Sequence, residues 1–271
     1  MCRKNLLNRP DNHVSKHGIM LLTLLLAFLC FSGGFDRVFA AADVFPFAVG
    51  EKLTYRASLG PLAVGAATIE VRAADHPTAP GTYHFVMETR TNNRINWLYR
   101  IRETQESWVD GKMTRSLAYR KRDTGTHPRD VVVRFDWQAM QASYRNVGKD
   151  EKTSPLVPGT FDPLALFFVL RTRPLRVGDT IEIPISDGKK LVRASAKVAK
   201  RERIVIDGKV HDTFLVIPDL KPLNKALGDK DAADMMIWFG MDESRFPMKI
   251  VSRFNVGSFI LELVSAETGG N

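Results

Sequence analysis

The chain has 271 residues, 44% of them hydrophobic and 25% charged, an ordinary globular composition. Its formal charge is +9, and its only cysteines, Cys2 and Cys30, lie within the first thirty residues. The remaining chain therefore has no disulfide, no cysteine–zinc site and no thiol nucleophile available to it.

In chain order, the first element is a leader. Arg3, Lys4, Arg9 and Lys16 precede an apolar run, Ile19 to Phe31, interrupted only by Thr23. Gly33–Gly34 comes next, and Val38 and Ala40 occupy the small-residue positions of a cleavage site. A basic segment, a short apolar core and a small-residue exit predict a secretory signal peptide over 1–40, cut near Ala40/Ala41. Thirteen positions fall short of the ~20 apolar residues of a membrane span, although an uncleaved anchor stays open as an alternative. Leu29 before Cys30 is too bulky for a lipoprotein cut. Beyond the leader, 34 Lys/Arg face 28 Asp/Glu, a net +6. An exported chain of this kind is expected in the periplasm, with the outer membrane as a further place of residence, and with no nucleic-acid partner.

Strand signals fill most of the chain beyond the leader. "EKLTYRASL" and "AVGAATIEVRA" alternate in part and are separated by a Gly60-Pro61 turn. "TYHFVMETR" comes next. "LYRIRETQESWVD" then places Trp97, Tyr99 and Ile101 on one face of an expected strand. "MTRSLAYRKR", "DVVVRFDW" and "QASYRNV" continue the series, with Val131, Val133, Phe135 and Trp137 sharing a face. Asp-Gly at 110, 187 and 207 stands between alternating runs, the strongest short hairpin signal. After the middle of the chain come "DTIEIPI", "LVRASAKVAKRERIVI" and "VHDTFLVIPDL", then a polar segment, "KPLNKALGDKDAAD". The chain closes with "MMIWFG", "FPMKIVSRF" and "GSFILELVS".

One stretch departs from this pattern. "FDPLALFFVLR" has seven consecutive apolar residues, Leu164 to Leu170, after Asp162 as a cap and Pro163 at a first helical position. A helix over about 162–171 is predicted. It is roughly 15 Å long, half of a bilayer core, and cannot span one. A helix apolar on every side has to be buried or docked in lipid; too short to span a bilayer, it is expected as a plug completing a core or as a lid over an apolar cavity. With no βαβ pattern, the expectation is one mainly β domain over 41–271, with two packed subdomains flanking the helix as the alternative. It would be an antiparallel sandwich or a curved, partly open barrel of about a dozen strands with this one helix.

Catalytic signatures are missing: there is no G-x-S-x-G, no H-E-x-x-H and no phosphate loop. His76, His84, His127 and His211 are scattered through separate segments, so no metal and no cofactor is expected. Asp242 and Glu243 in "FGMDESRFP", and Glu103 with Glu106, could supply the two carboxylates of a glycosidase. The first pair also reads as a plain polar turn. Trp97, Trp108, Trp137 and Trp238 suit sugar stacking, a pocket wall or an ordinary core. The basic stretch "MTRSLAYRKRDTGTHPRDVVVR" suits an anionic headgroup or a solvated strand face.

The helix opening, the segments "VGDTIEIPISDGKKLVRASAKVAKRERIVIDGKVHDTFLVIPDL" and "IWFGMDESRFPMKIVSRFNVGSFILELV", and the start "VGEKLTYRASLGPLAVGAATIEV" resemble the exported bacterial family DUF3108. The resemblance implies export, a β-rich fold and an envelope setting, and it carries over no catalytic residue or ligand. Three functions remain in view. The first is a non-enzymatic binder of a lipid, glycolipid, lipoprotein or other envelope component. In it Leu164, Phe167, Phe168, Val169, Trp97 and Trp137 would line a pocket, with Arg120 and Arg122 at its mouth. The others are a glycan hydrolase using Asp242 and Glu243, and a scaffold for another envelope protein.

Overall fold

The computed structural model describes residues 44–76, 79–93, 95–97, 100–126, 128–219, 234–254 and 257–269. The expected leader, Tyr99, His127 and most of the polar segment after Leu220 lie outside these residues. Among the described residues, fourteen strands form one antiparallel sheet. The first half is a meander: β1 (Lys52–Leu59), β2 (Leu62–His76), β3 (Ala79–Thr91), β4 (Arg102–Val109), β5 (Ser116–Asp123), β6 (Arg129–Asp136), β7 (Gln141–Asn146) and β8 (Lys152–Pro155). Helix α1 (Ala165–Thr172) comes after it. A second meander comprises β9 (Thr180–Ser186), β10 (Leu191–Ile206), β11 (Lys209–Asp219), β12 (Asp234–Gly240), β13 (Pro247–Phe254) and β14 (Gly257–Glu267). The strand order is β8-β7-β6-β5-β4-β3-β2-β1-β14-β13-β12-β11-β10-β9. The two meanders are therefore joined by pairing β1 with β14, from Lys52 opposite Glu267 to Leu59 opposite Phe259.

The ladder never breaks into two sheets, which removes the sandwich and leaves the curved, open alternative. It is also not closed: β8 and β9 do not form a ladder with each other. They do come together at the seam. Ser154 of β8 lies 3.5 Å from Ser186 and donates to the Gly188 carbonyl at 3.3 Å, and Phe161 forms a parallel bridge to Ile185. Gly188 takes φ +85°, and a Cβ there would come within 2.7 Å of the Val133 side chain, so the β9–β10 turn is pressed against β6.

Alternation explains the inner face. On β1, Leu53, Tyr55 and Ala57 are buried while Lys52, Thr54 and Arg56 point outward. Val131, Val133 and Phe135 do the same on β6. These residues and α1 make one core. Trp137 falls past the end of β6, half-buried, with its indole N–H on the Ser116 carbonyl at 2.8 Å.

One local expectation is corrected. β4 begins at Arg102, so Trp97 is not on a strand; it sits in a loop and is 82% exposed. The turn-forming Asn92-Asn93 ends β3. Thr91 Oγ1 then accepts from the Ile101 N–H and Arg102 Nη1 reaches the Thr91 carbonyl, so the loop has its own polar partners. Four-residue β8 has too little alternation to announce itself. All three Asp-Gly sites turn hairpins, but only Asp207–Gly208 has both residues at positive φ, +47° and +75°, as a two-residue type I′ turn requires.

Candidate functional site

The helix is held at both ends by buried charge. Asp162 is fully buried, and its Oδ1 accepts from the N–H groups of Leu164 and Ala165, at 2.9 and 3.0 Å. It thus satisfies free N–H groups ahead of α1, although the helix itself begins at Ala165 with Leu164 in the N-cap position, later than the expected start at Asp162–Pro163. Its Oδ2 accepts from the hydroxyls of Ser107 on β4 and Ser116 on β5, both at 2.6 Å. Burial pushes this carboxyl above its usual range, and the four donors oppose that shift.

At the other end Arg171 is 1% exposed and pairs with Glu51 at 2.6 and 2.9 Å. It also donates to the carbonyls of Pro46 and Ser244. The rings of Phe47, Phe168 and Phe246 surround its guanidinium, with centroids 5.3–5.6 Å away. Arg245, at φ +46° in the β12–β13 turn, donates to the carbonyls of Arg171 and Arg173 and so satisfies the end of the helix. Tyr55 lies in the same buried region, where desolvation raises its hydroxyl pKa well above the usual phenol value. That hydroxyl has no partner among the described residues.

Above this clasp the molecule opens. A cavity of about 1170 Å³ is bounded by the arm Val44–Val49, Tyr83, Thr172, the turn Glu243–Phe246 and Thr268. Phe45 stacks on Phe47 at 5.5 Å, and Tyr83 meets both rings edge-on. With Phe246, four aromatic rings wall an open mouth, with Glu243 exposed at its rim and Arg245 committed to the helix end.

The residues singled out in the sequence do not converge. Leu164, Phe168 and Val169 are buried against the sheet, and Phe168 stacks on Phe85 at 3.6 Å; Phe167 is half-buried. The helix fills the interior. Trp97 projects from its loop and Trp137 packs near Arg115, whose guanidinium lies 5.2 Å from the ring centroid. Arg120 pairs with Asp130 at 2.7 Å on β5 and β6, and Arg122 is exposed on β5. Neither arginine borders the mouth. Asp242 accepts from Ser244 and the Arg245 N–H within its own turn, while Glu243 borders the mouth. Glu103 binds Lys121, and Glu106 approaches His84 at 3.2 Å.

Sequence reasoning missed Glu51, Ser107, Ser116 and the Phe45–Phe47 arm. The available signal was Arg171 itself, a lone cation ending an otherwise apolar helix, which must find a buried acid.

Residues 54–264 match the model of the family described as Protein of unknown function (DUF3108). The chain belongs to that family. No curated protein matches it. Among solved structures it is similar to the beta-barrel-like protein of domain of unknown function DUF1849 from Brucella abortus, with TM-score 0.51 and 11% identity. That likeness covers 83% of this chain and 99% of that one, and at such identity it is a likeness of fold. The DUF3108 match takes in Asp162, Arg171 and the β12–β13 turn, while Glu51 and the Phe45–Phe47 arm lie before it.

Proposed function

We propose that this protein is an exported, non-enzymatic binder of an amphiphile in the bacterial envelope, holding the apolar part of its ligand in the aromatic mouth above α1. The observation that carries this reading is the open cavity of about 1170 Å³ walled by Phe45, Phe47, Tyr83 and Phe246. Ligand sites are concave and commonly span ~300–1,000 Å³; this mouth is somewhat larger, with its aromatic side facing a polar side of Thr172, Glu243, Ser244 and Thr268. The leader supports export. In this reading the helix is a fixed support whose last residue, Thr172, borders the site, and not a lid, since Arg171, Arg245 and Asp162 fasten it at both ends.

The test is purification from a bacterial periplasm without detergent, followed by native and then denaturing mass spectrometry. A lipid or glycolipid should accompany the wild-type chain and be lost from Phe45→Asp. It should be lost equally from Val49→Asp, a substitution at an exposed position that leaves the core untouched. A protein that emerges empty, or a bound mass that survives both substitutions, overturns the reading.

A further inference from the structure

On the opposite, outward face of the sheet, β10 and β11 leave the general curvature. The β10–β11 register shifts between Val198 and Lys200, and such a bulge re-aims the strand beyond it. The far end of the ribbon lies over the outside of the sheet. Asp207, in its turn, meets Arg56 of β1 at 2.8 Å, although β14, β13 and β12 stand between β1 and β11 in the ladder. Ile206, next to this exposed turn, is 4% exposed.

Beneath the ribbon, Met236 and Trp238 of β12, Val251 of β13 and Ile260 of β14 put apolar side chains among the polar ones of the outward face, where a solvated face would be polar throughout. Trp238 and Val251 are buried there with Leu215, and Met236, Ile260 and Ile204 pack against them. The ribbon does not fill this space. A groove of about 350 Å³ remains, with Ile204, Met236, Trp238, Val251 and Ile260 as its apolar lining. The Trp238 indole N–H donates to Glu202 at 2.9 Å, which fixes the ring as a wall.

The charges around the groove are unequal. Glu202 also bonds Lys200, Lys249 is bound to Glu262 at 2.9 Å, and Arg56 is shared by Asp207 and Glu262. Arg253 lines the groove, is exposed, and forms no ion pair among the described residues, although Asp234 stands opposite it in register. Among the described residues, the groove thus joins a row of apolar side chains to one cation that stands outside any ion pair.

We infer that this groove is a second binding site, for a single-chain anionic amphiphile of fatty-acid type, with the chain laid along Trp238 and Ile260 and the carboxylate on Arg253. A guanidinium and a carboxylate make paired charge-assisted hydrogen bonds. A groove of about 350 Å³ has room for one alkyl chain and not for the two of a phospholipid. The site is separate from the aromatic mouth and stands without it.

The probe is dodecanoate below its micelle concentration, titrated by calorimetry and by tryptophan fluorescence, with dodecyl maltoside as the uncharged control. Dodecanoate should bind with a stoichiometry of one and at least tenfold more tightly than the maltoside. Arg253→Gln, at an exposed position, should lose about tenfold in affinity. Ser258→Trp, which fills the groove, should abolish binding, while Val49→Asp at the mouth should leave it unchanged. No binding, equal binding of the two probes, an unaffected Arg253→Gln, or loss through Val49→Asp overturns the inference. Binding only to vesicles of anionic phospholipid also overturns it, because the ligand would then be a membrane surface.

Discussion

Single residues carry more of this molecule's stability than its strand-rich pattern suggests. Arg171 and Glu51 form a buried pair, and the arginine's other donors reach backbone carbonyls. Removing one partner of such a pair strands a charge and costs about 3–5 kcal/mol. Arg171→Met should therefore lower the urea midpoint severely. Adding Glu51→Leu to it should recover part of the loss, because no uncompensated carboxylate then remains. His84 supplies a pH signature. It stacks on Trp108 with ring centroids 4.5 Å apart, and its Nε2 lies 3.2 Å from Glu106. Burial lowers its pKa below 6.5; Glu106 opposes this shift and Arg72 reinforces it, and burial wins. Between the lowered value and 6.5 the unfolded chain binds more protons than the folded one. Stability therefore rises with pH through that window and is level above it. Urea unfolding from about pH 5 to about 8 should show this slope in the wild-type chain and a flatter one in His84→Gln.

Among the elements, α1 decides most. Its Phe168 is 1% exposed and stacked on Phe85, so Phe168→Ala opens a cavity and should cost about 3–5 kcal/mol by urea unfolding. A mobile lid would lose far less. Turns differ in a way that two glycines make measurable. Both Gly188 and Gly208 adopt positive φ, but a Cβ at Gly208 meets nothing within 4 Å, whereas at Gly188 it collides with Val133 and Tyr144. Gly208→Ala should cost only the ~1 kcal/mol of left-handed backbone in a side-chain-bearing residue. Gly188→Ala should cost that plus roughly 1–3 kcal/mol of overpacking. Equal losses in thermal or urea unfolding would mean that the seam between β9 and β6 gives way freely.

For the molecule as a whole, the decisive contact is β1 with β14. Every other strand pair is a neighbour in sequence, whereas this one joins Leu59 to Phe259 across almost the whole described chain. Deleting residues 257–269 removes that bridge and exposes the ladder edges of β1 and β13 together. The truncated chain should lose its near-ultraviolet circular dichroism and aggregate, as open edges do. Shortening at the already unpaired edge, by replacing Lys152 and Thr153 with glycine, should leave the fold cooperative.

Much of this architecture was legible in the residues. Alternation in "EKLTYRASL" and "DVVVRFDW" defines inward and outward faces because side chains on a strand point alternately to its two sides. Asp162–Pro163 marks a helix start because a carboxylate satisfies free N–H groups and proline lacks one to lose. Asp207–Gly208 marks its turn for an equally local reason. The family likeness reached nearly the same span that the family model matches, residues 54–264. The candidate sites were not legible. Trp97, Trp137, Arg120 and Arg122 were plausible by type, yet the fold sends them to separate surfaces, because which strand neighbours which is a matter of long-range pairing. Glu51 meets Arg171 across 120 positions, and Asp207 meets Arg56 across 151. Strand identity and helix position follow from forces between residues a few places apart, and the sequence by itself determined them. The plugged interior, the aromatic mouth and the groove under the β10–β11 ribbon depend on curvature and on contacts between distant segments, and only the tertiary structure decided those.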